Sequence, residues 1–342
     1  MLIHSCSHAR VPGVARRLLL VVLAALASAV VASPAGAAGH TTHVAKPSPN
    51  TGIVDIYTVL GYESGAAAGT GMILTHTGEV LTNNHVIKGA THFRVVDVTT
   101  HRSYKANVVG YSVARDVAVI QLVNARGLKT IPLGHSALAH VGQKVVARGN
   151  ALGRGGAPRP AAGTVTALHR SITATDSVSG ESEQLNDLIQ TNADVQPGDS
   201  GGPLENALGR AIGMVTAGST GGRSHGYAIP IDRALSLARQ IEAGTTNSLL
   251  HIGPTAFLGV GVQDATGGAA ITDVVSGSAA DQAGLVDGDL ITSLNGGTIT
   301  DAADVKTAVL SLTPGVAVPI GWTDASGTAQ SGTITPASGP PQ

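Results

Sequence analysis

The sequence predicts a mainly β protein with two folded domains behind an export leader. Three observations lead to this prediction: short apolar runs separated by glycines, 45 glycines against only 2% aromatic residues, and a change of pattern near residue 255. Glycine favours turns over helix interiors, and 342 residues suffice for two domains of ordinary size. We therefore expect cores that are built from Val, Ile, Leu and Ala.

Residues 1–37 have the pattern of a signal peptide. Arg10, Arg16 and Arg17 give a basic start, residues 18–32 are apolar, and residues 35–37 offer a small-residue cleavage site. The apolar run is shorter than the about 20 residues that a membrane-spanning helix needs, although an uncleaved anchor is the alternative. We expect the protein to be secreted or associated with the cell envelope.

The composition excludes several classes of function. The formal net charge of −1 gives no footprint for nucleic acid. The only cysteine, Cys6, lies in the leader, so the mature protein has no thiol for a disulfide, a nucleophile or a metal. The histidines have no ligand spacing. We expect neither a metal nor another cofactor.

Residues 38–51 form a polar linker, and residues 52–243 form the first domain. Its short apolar runs are typical of strands in an all-β barrel or sandwich. The predicted strands lie within 71–75, 78–87, 92–98, 104–112, 116–122, 143–149, 162–168 and 211–218. One helix closes the domain: Asp232 is a candidate N-cap, Ala234, Leu237, Ala238 and Ile241 share one face, and Gly244 ends it.

The second domain has a different pattern. A linker at 244–254 precedes residues 255–336, which combine short strands with one helical turn at 278–283 and a helix near 302–312. The tail, residues 337–342, reads SGPPQ at its end, and we expect it to be frayed.

The string Gly198-Asp199-Ser200-Gly201-Gly202-Pro203 predicts a nucleophile. A serine hydroxyl needs an adjacent base and donors for the oxyanion. Flanking glycines permit a sharp turn that points the backbone N–H groups of Gly198 and Ser200 at one oxygen, which makes them the candidate oxyanion hole. The alternative is a plain glycine-rich turn.

His85 and Asp116 are the candidate partners of this serine. His85 follows a strand-like run and precedes apolar residues, so we expect it at a buried strand end, where a general base is shielded. Asp116 abuts an apolar run and alone would be read as a strand-capping residue. With His85 and Ser200 it becomes the group that orients the imidazole. The chain order His, Asp, Ser is that of chymotrypsin-fold proteases.

Seven segments resemble the HtrA (Deg-type) trypsin-like serine proteases, in the family's order and over about residues 52–243. They are TNNHVI (82–87), RDVAVI (115–120), GNALG (149–153), AAGTVTAL (161–168), QPGDSGGPL (196–204), IGMVTAG (212–218) and GYAIPI (226–231). The resemblance implies a chymotrypsin-like double β-barrel with the active site between the barrels. It also implies hydrolysis of unfolded or damaged proteins in the cell envelope.

The second domain resembles the small α+β PDZ domain of the same family. Phe257, Leu258, Gly259 and Val260 match the carboxylate-binding loop, and residues 277–296 match the body of the domain. Consecutive N–H groups can grip a terminal carboxylate, and the following strand can pair with an extended peptide. The expected partners are therefore polypeptide substrates and C-terminal peptides.

Two features depart from the family. Residues 38–51 contain no aromatic residue, whereas family trimers often pack N-terminal aromatics; a homo-oligomer is expected, with a trimer as one possibility. Asp194 lies six residues before Ser200, near the base of the S1 pocket in chymotrypsin-fold proteases. It would favour substrates with Arg or Lys at P1; the alternative is a loop-capping role.

Other functions stay open at this point. A chaperone or adaptor that binds C-termini through the PDZ domain, with latent protease activity, is a non-enzymatic alternative, and a narrow-specificity processing enzyme is another. The loops 153–163 and 176–184 are candidate switch segments, whose order would depend on a ligand.

Overall fold

The computed structural model describes residues 48–62, 65–175, 182–218, 225–245 and 247–342. The predicted signal peptide and most of the predicted linker 38–51 lie outside the described residues. Within the described ranges, no helix is long and apolar enough to cross a membrane.

The first part of the protease region forms an antiparallel sheet. Its strands are β1 (Ile53–Leu60), β2 (Gly65–Ile73), β3 (Glu79–Thr82), β4 (His92–Asp97), β5 (Ser103–Tyr104), β6 (Ala106–Ser112) and β7 (Val117–Leu122); the helix α1 (Asn84–Ile87) follows β3. The spatial order is β6-β7-β3-β2-β1-β4-β5. The inward side chains are Val, Ile and Leu, which suit a half-buried pleated surface.

The second part is a closed barrel. Its strands are β8 (Lys144–Gly149), β9 (Arg159–Thr175), β10 (Ser182–Thr191), β11 (Pro203–Asn206), β12 (Ala211–Gly218) and β13 (Gly226–Pro230), in the spatial order β10-β13-β12-β11-β8-β9. Closure leaves no unpaired strand edge. The prediction of a mainly β protein with two packed β units is confirmed.

The helix α2 (Ile231–Glu242) packs against residues of both β units in one hydrophobic cluster. It begins one residue before Asp232, so the prediction of Asp232 as N-cap is wrong. The carboxylate of Asp232 instead accepts a hydrogen bond from Ser136 Oγ at 2.9 Å. Leu235 is buried, while Leu237 is only partly so. Gly244 follows the helix with φ of +64°, as the sequence predicts.

The predicted linker 244–254 is partly a strand. Residues His251–Ile252 form β14, which pairs with β6 and completes an eight-stranded sheet. The linker therefore belongs to the protease region's first sheet, because its backbone groups find partners there.

The second domain has a six-stranded sheet, a two-stranded sheet and two helices. Its elements are β15 (Thr255–Phe257), β16 (Val260–Ala265), β17 (Gly268–Val274), α3 (Ala279–Gln282), β18 (Leu290–Leu294), β19 (Gly297–Thr298), α4 (Ala302–Ser311), β20 (Val318–Thr323), β21 (Ala329–Ile334) and β22 (Ala337–Gly339). The order of the six-stranded sheet is β16-β17-β18-β20-β21, with β19 paired only with β18, and β15 pairs with β22. Both predicted helices are present, with Ser278 and Asp301 as N-caps.

The prediction of a frayed tail is wrong. Residues 337–339 form β22, and Pro341 is buried. The tail is ordered because β22 pairs with β15 over three residues and because the residues that follow donate and accept hydrogen bonds.

Candidate active site

His85 lies on the short helix α1. The strand β3 ends at Thr82, and the chain turns at Asn83 so that the helix begins at Asn84. The prediction of a strand end is therefore wrong for His85, which sits one helical turn beyond the strand. Its side chain is 32% exposed, so the imidazole is shielded on one side and open to the cleft on the other.

Asp116 is buried beneath His85. Its side chain is 1% exposed, and both carboxylate oxygens lie 3.0 Å from His85 Nδ1. One of them also accepts the backbone N–H of His85 at 3.0 Å, and Thr216 Oγ1 donates to the other. Since the carboxylate holds the proton on Nδ1, Nε2 is left as the basic nitrogen of the ring.

The backbone at Asp116 is unusual. Its φ of +50° lies in the left-handed region, directly after a short 3₁₀ helix at Val113–Arg115. Asn83 Nδ2 donates to the Asp116 carbonyl oxygen at 2.8 Å and so helps to fix this conformation. Strained backbone of this kind is concentrated at functional sites.

Ser200 lies on the turn between β10 and β11. Its Oγ is 3.4 Å from the carbonyl oxygen of Thr216, and this is its only hydrogen bond among the residues that the structure describes. Among the described residues, Ser200 Oγ thus bonds to Thr216 and not to His85. Catalytic hydrogen bonds are often long in the free enzyme and tighten when substrate binds.

Two backbone N–H groups beside Ser200 are unpaired. Pro197 accepts a hydrogen bond from Leu152 N at 2.6 Å, which turns the following peptide N–H away from that loop. Neither Gly198 N–H nor Ser200 N–H donates to any acceptor within the described ranges. Gly198 has a φ of +95°, and a Cβ there would lie 2.2 Å from the carbonyl oxygen of Asn150. Only glycine permits this turn.

Thr70, on β2 of the first sheet, forms hydrogen bonds that hold the turn with Ser200 in place. Its Oγ1 donates to the Gly198 carbonyl oxygen at 2.7 Å and accepts from Asn150 N at 2.9 Å. Its backbone N–H donates to the Ser200 carbonyl oxygen at 2.8 Å. Neither Thr70 nor Thr216 could be recognised from the sequence, because threonine is common within strands and carries no signal of its own.

Asp199 does not face the cleft. Its side chain is buried, and its carboxylate accepts a hydrogen bond from Gln196 N at 2.9 Å. Burial raises the pKa of this carboxyl above its usual value. Asp199 therefore stabilises the turn that carries Ser200, through a bond within the turn itself.

Asp194 is exposed and already paired. One carboxylate oxygen lies 2.9 Å from Arg159 Nη2, and the other accepts from Gln196 Nε2 at 2.7 Å. It lines a cavity of about 490 Å³ beside the loop 149–157. Arg159 and Gln196 thus hold the Asp194 carboxylate, as the loop-capping alternative requires, and a preference for Arg or Lys at P1 stays a prediction.

Val195 is an apolar side chain at the ends of β12 and β13. A Cβ on Gly226 would lie 2.5 Å from Val195 Cγ2, and one on Gly218 would lie 3.6 Å from Val195 Cγ1. The Val195 side chain therefore lies between the ends of β12 and β13, two residues from Thr216. An apolar group at this position suits a small apolar substrate side chain.

The PDZ loop presents free backbone donors. Gly259 has a φ of +81°, and a Cβ there would lie 2.2 Å from Ser278 Cβ, so only glycine fits. Leu258 N–H and Gly259 N–H donate to no acceptor in the part of the chain that the structure describes. The following strand, β16, is an edge strand whose only sheet neighbour is β17.

The helix α4 forms the other wall of this groove. Val305 and Val309 are buried, Val260 and Val262 are partly buried, and all four belong to one apolar cluster. An extended peptide can pair with the free edge of β16 while its last side chain packs against α4.

Asp55 is a buried carboxyl near the active-site cleft. It lies on β1 with 1% exposure, and one carboxylate oxygen accepts from Gly156 N at 3.2 Å. The other has no hydrogen-bond partner among the described residues. Burial raises the pKa of Asp55 from 3.8 to about 6, in spite of the Gly156 N–H, which lowers it.

Asp55→Asn is expected to raise the melting temperature at pH 8 and to leave it nearly unchanged at pH 4. The folded protein binds the Asp55 proton more tightly than the unfolded chain does, so the wild type loses stability as pH rises from about 4 to about 6. Thermal unfolding between pH 4 and pH 8 measures this.

Asp97→Asn is the control for this experiment. Asp97 is also buried, but its carboxylate accepts from Thr99 N and Thr100 Oγ1 at 2.8 and 2.9 Å. Its replacement should lower the melting temperature at pH 8. An equal gain for Asp55→Asn at both pH values would contradict the account.

Two family models match the chain. Residues 69–214 match the trypsin-like peptidase domain, and residues 256–322 match the PDZ domain. The serine protease PepD of Mycobacterium tuberculosis (strain ATCC 25618 / H37Rv) is 32% identical over 305 residues, which are 83% of this chain and 63% of that protein. The periplasmic pH-dependent serine endoprotease DegQ of Escherichia coli (strain K12) is 35% identical over 266 residues, 74% of this chain and 56% of that protein. The chain thus spans less than two thirds of these relatives.

Among solved structures, the HtrA-type protease AlgW with a tripeptide is similar in fold. Its TM-score is 0.50 and its sequence identity 27%, over 86% of this chain and 96% of that chain. The two matched domains follow one another in the order that the sequence predicts, and the relatives are named serine proteases. The chain contains a trypsin-like peptidase domain followed by a PDZ domain, and it is similar to HtrA-type serine proteases over both.

Proposed function

We propose that this protein is a serine endopeptidase of the cell envelope that hydrolyses unfolded or damaged exported proteins. The observation that carries the proposal is the arrangement at Ser200. A buried carboxylate orients the His85 imidazole, and Thr216 links this pair to the serine, since its Oγ1 donates to Asp116 and its carbonyl oxygen accepts from Ser200 Oγ. The backbone N–H groups of Gly198 and Ser200 are unpaired within the described ranges. Periplasmic relatives support the location.

His85, Asp116 and the two backbone N–H groups each have a defined role in the reaction. His85 Nε2 takes the proton from Ser200 Oγ as the oxygen attacks the substrate carbonyl, and later gives it to the leaving amine. Asp116 holds the ring in the required tautomer and stabilises the imidazolium. The N–H groups of Gly198 and Ser200 bind the oxygen that becomes negative, a contribution of about 3–4 kcal/mol per donor in serine proteases. Water then hydrolyses the acyl-enzyme by the same steps.

The PDZ domain supplies the substrate contact. The free N–H groups of Leu258 and Gly259 suit a terminal carboxylate, and the free edge of β16 suits an extended chain. C-terminal peptides of substrates or of regulators are the proposed ligands. An unfolded chain can present both such an end and an extended stretch to the cleft.

A second candidate is a PDZ-dependent chaperone or adaptor whose protease is latent. The observation in its favour is the contact of Ser200 Oγ with Thr216 rather than with His85. The unpaired N–H groups at Gly198 and Ser200 favour the peptidase, since a collapsed oxyanion hole would have satisfied them internally.

Reduced and alkylated α-lactalbumin should be cleaved, whereas the native, disulfide-bonded protein should not. We expect cleavage after small apolar residues because Val195 gives an apolar surface at the ends of β12 and β13, two residues beyond Thr216, whose carbonyl oxygen contacts Ser200 Oγ; we expect the same sites and rates for Asp194→Ala. Mass spectrometry of the fragments gives the P1 residues. Cleavage after Arg or Lys that disappears in Asp194→Ala would overturn this assignment of specificity.

Arg159→Ala is the matched variant, because it removes the partner of Asp194 at 2.9 Å. If the ion pair alone keeps Asp194 from acting on substrate, this variant should gain cleavage after Lys or Arg, while Asp194→Ala should not. No digestion of the unfolded substrate by the wild type would favour the adaptor.

A further inference from the structure

The residues 337–342, here called the C-terminal segment, connect the PDZ loop with the catalytic helix. Its first half is β22, which pairs with β15 so that Ala337, Ser338 and Gly339 face Phe257, Ala256 and Thr255. Its second half leaves the PDZ domain, and Pro341 is buried.

The second half binds the helix that carries His85. Gly89 N, just beyond that helix, donates to the Pro341 carbonyl oxygen at 2.9 Å. Asn84 Nδ2 donates to the Gln342 carbonyl oxygen at 3.0 Å, and Asn84 is fully buried next to His85 in sequence. α1 has only four residues and no side-chain N-cap, so it has little stability of its own and depends on such contacts.

The buried hydroxyls of Tyr111 and Thr255 connect the same segment to the first residue of β15. Gln342 N donates to Tyr111 Oη at 3.3 Å, and Tyr111 Oη lies 3.0 Å from Thr255 Oγ1. Tyr111 and Thr255 are both buried. One hydroxyl on β6 thus contacts both the end of the segment and the strand that leads into the PDZ loop.

The first half contacts the PDZ loop directly. A Cβ on Gly339 would lie 2.2 Å from Phe257 Cβ, so the backbone of the segment lies against the first residue of the carboxylate-binding loop. The Phe257 ring stacks on Tyr62 of the protease region, with ring centroids 4.4 Å apart. A ligand that moves Phe257 must therefore also move Gly339 or change this stack.

We infer that the C-terminal segment is a positioning element of the protease. It holds α1, and with it His85, and it couples the occupancy of the PDZ loop to the position of the catalytic base. The inference rests on the proposed peptidase function and adds a route that runs from Phe257 through Gly339 to Asn84. By linkage, a PDZ ligand that raises the affinity of the active site for a substrate must itself bind more tightly when that site is occupied.

Gly339→Val tests this route. The valine side chain would meet Phe257, so β22 should detach and the contacts of Pro341 and Gln342 with α1 should be lost. The groove between β16 and α4 contains none of these residues and should still bind peptide. Ser338→Val is the matched control, because Ser338 is exposed in the same strand and accepts a β-branched side chain.

The measurements are the rate at which a fluorophosphonate labels Ser200, with and without a short peptide that ends in valine, and the Kd of that peptide from fluorescence anisotropy. We expect wild type and Ser338→Val to label faster with peptide. Gly339→Val should label about 10-fold to 100-fold more slowly and should lose the response even at saturating peptide. The comparison is made at saturating peptide because the valine also meets Phe257 of the carboxylate-binding loop and can change the peptide Kd. Steady-state kinetics should place the loss in kcat rather than KM.

Tyr111→Phe is the second variant, because it removes only the hydroxyl that accepts from Gln342 N and should leave the fold intact. It should reduce the response to peptide with no change in peptide Kd. No labelling of the wild type under any condition would count against the proposed peptidase function. A labelled wild type that ignores the peptide, or a Gly339→Val enzyme with wild-type rate and response, would overturn the inference.

Discussion

Replacement of Ser200 by alanine should lower kcat/KM for an unfolded substrate by about 10⁶-fold. The oxyanion donors and the binding groove would remain, but no oxygen would be left for His85 to activate. Peptide binding by the PDZ domain should not change, since the groove lies in the other domain. The loss is measured with a peptide that carries a fluorophore and a quencher on either side of the cleaved bond.

Ser103→Ala is the control for this loss. Ser103 is an exposed serine on β5 in the same region of the chain, and it should keep the wild-type kcat/KM. Residual activity of Ser200→Ala within tenfold of the wild type would mean that another group is the nucleophile.

Asp116→Asn should lower kcat at pH 7 by about 10⁴-fold while the protein stays folded. An amide at this position donates to His85 Nδ1 where the carboxylate accepts, so the ring would hold its proton on Nε2 and could not take the one from Ser200. Thr216 Oγ1 would retain an acceptor in the amide oxygen. Stopped-flow measurement of the acylation rate isolates the step.

Asp97→Asn again provides the comparison, because it removes a buried carboxylate of the same sheet that lies outside the triad. It should lower stability and leave the acylation rate of the folded enzyme unchanged. Equal losses of acylation rate in both variants would show that the effect of Asp116→Asn is one of folding.

The fold class and the triad could be predicted because their signals are local. Glycine at 198 and 201 is required by positive φ and by contacts that a Cβ would make with Asn150 and Thr70. These requirements produce the glycine-rich motif around Ser200, which can be recognised in the sequence. The apolar runs likewise record the alternation of buried and exposed positions within each strand.

Features that depend on distant partners could not be predicted. Asp194 is neutralised by Arg159, which is 35 positions earlier and shares no pattern with it. The tail has Gly and Pro residues that are typical of frayed ends, and only its pairing with β15 orders it. His85 lies on a helix rather than at a strand end, and the chain turns into this helix at Asn83, whose side chain donates to the distant Asp116 carbonyl oxygen.

The predicted switch loops have different outcomes. The loop 153–163 is tied down at its start, where Gly155 N donates to Asn150 Oδ1 at 2.6 Å and Gly156 N donates to Asp55. In the loop 176–184, residues 176–181 lie outside the described residues. A ligand-dependent change of order in either loop stays a prediction.

Mass-spectrometric mapping of a fluorophosphonate adduct identifies the serine that acts as the nucleophile. We expect one adduct per chain, on Ser200, that forms in the wild type and disappears in Ser200→Ala. We also expect a labelling rate at least about 10³-fold lower in Asp116→Asn, because the base has the wrong tautomer. An adduct on a different serine, or labelling of Ser200 at the same rate without the Asp116 carboxylate, would contradict this assignment of the triad.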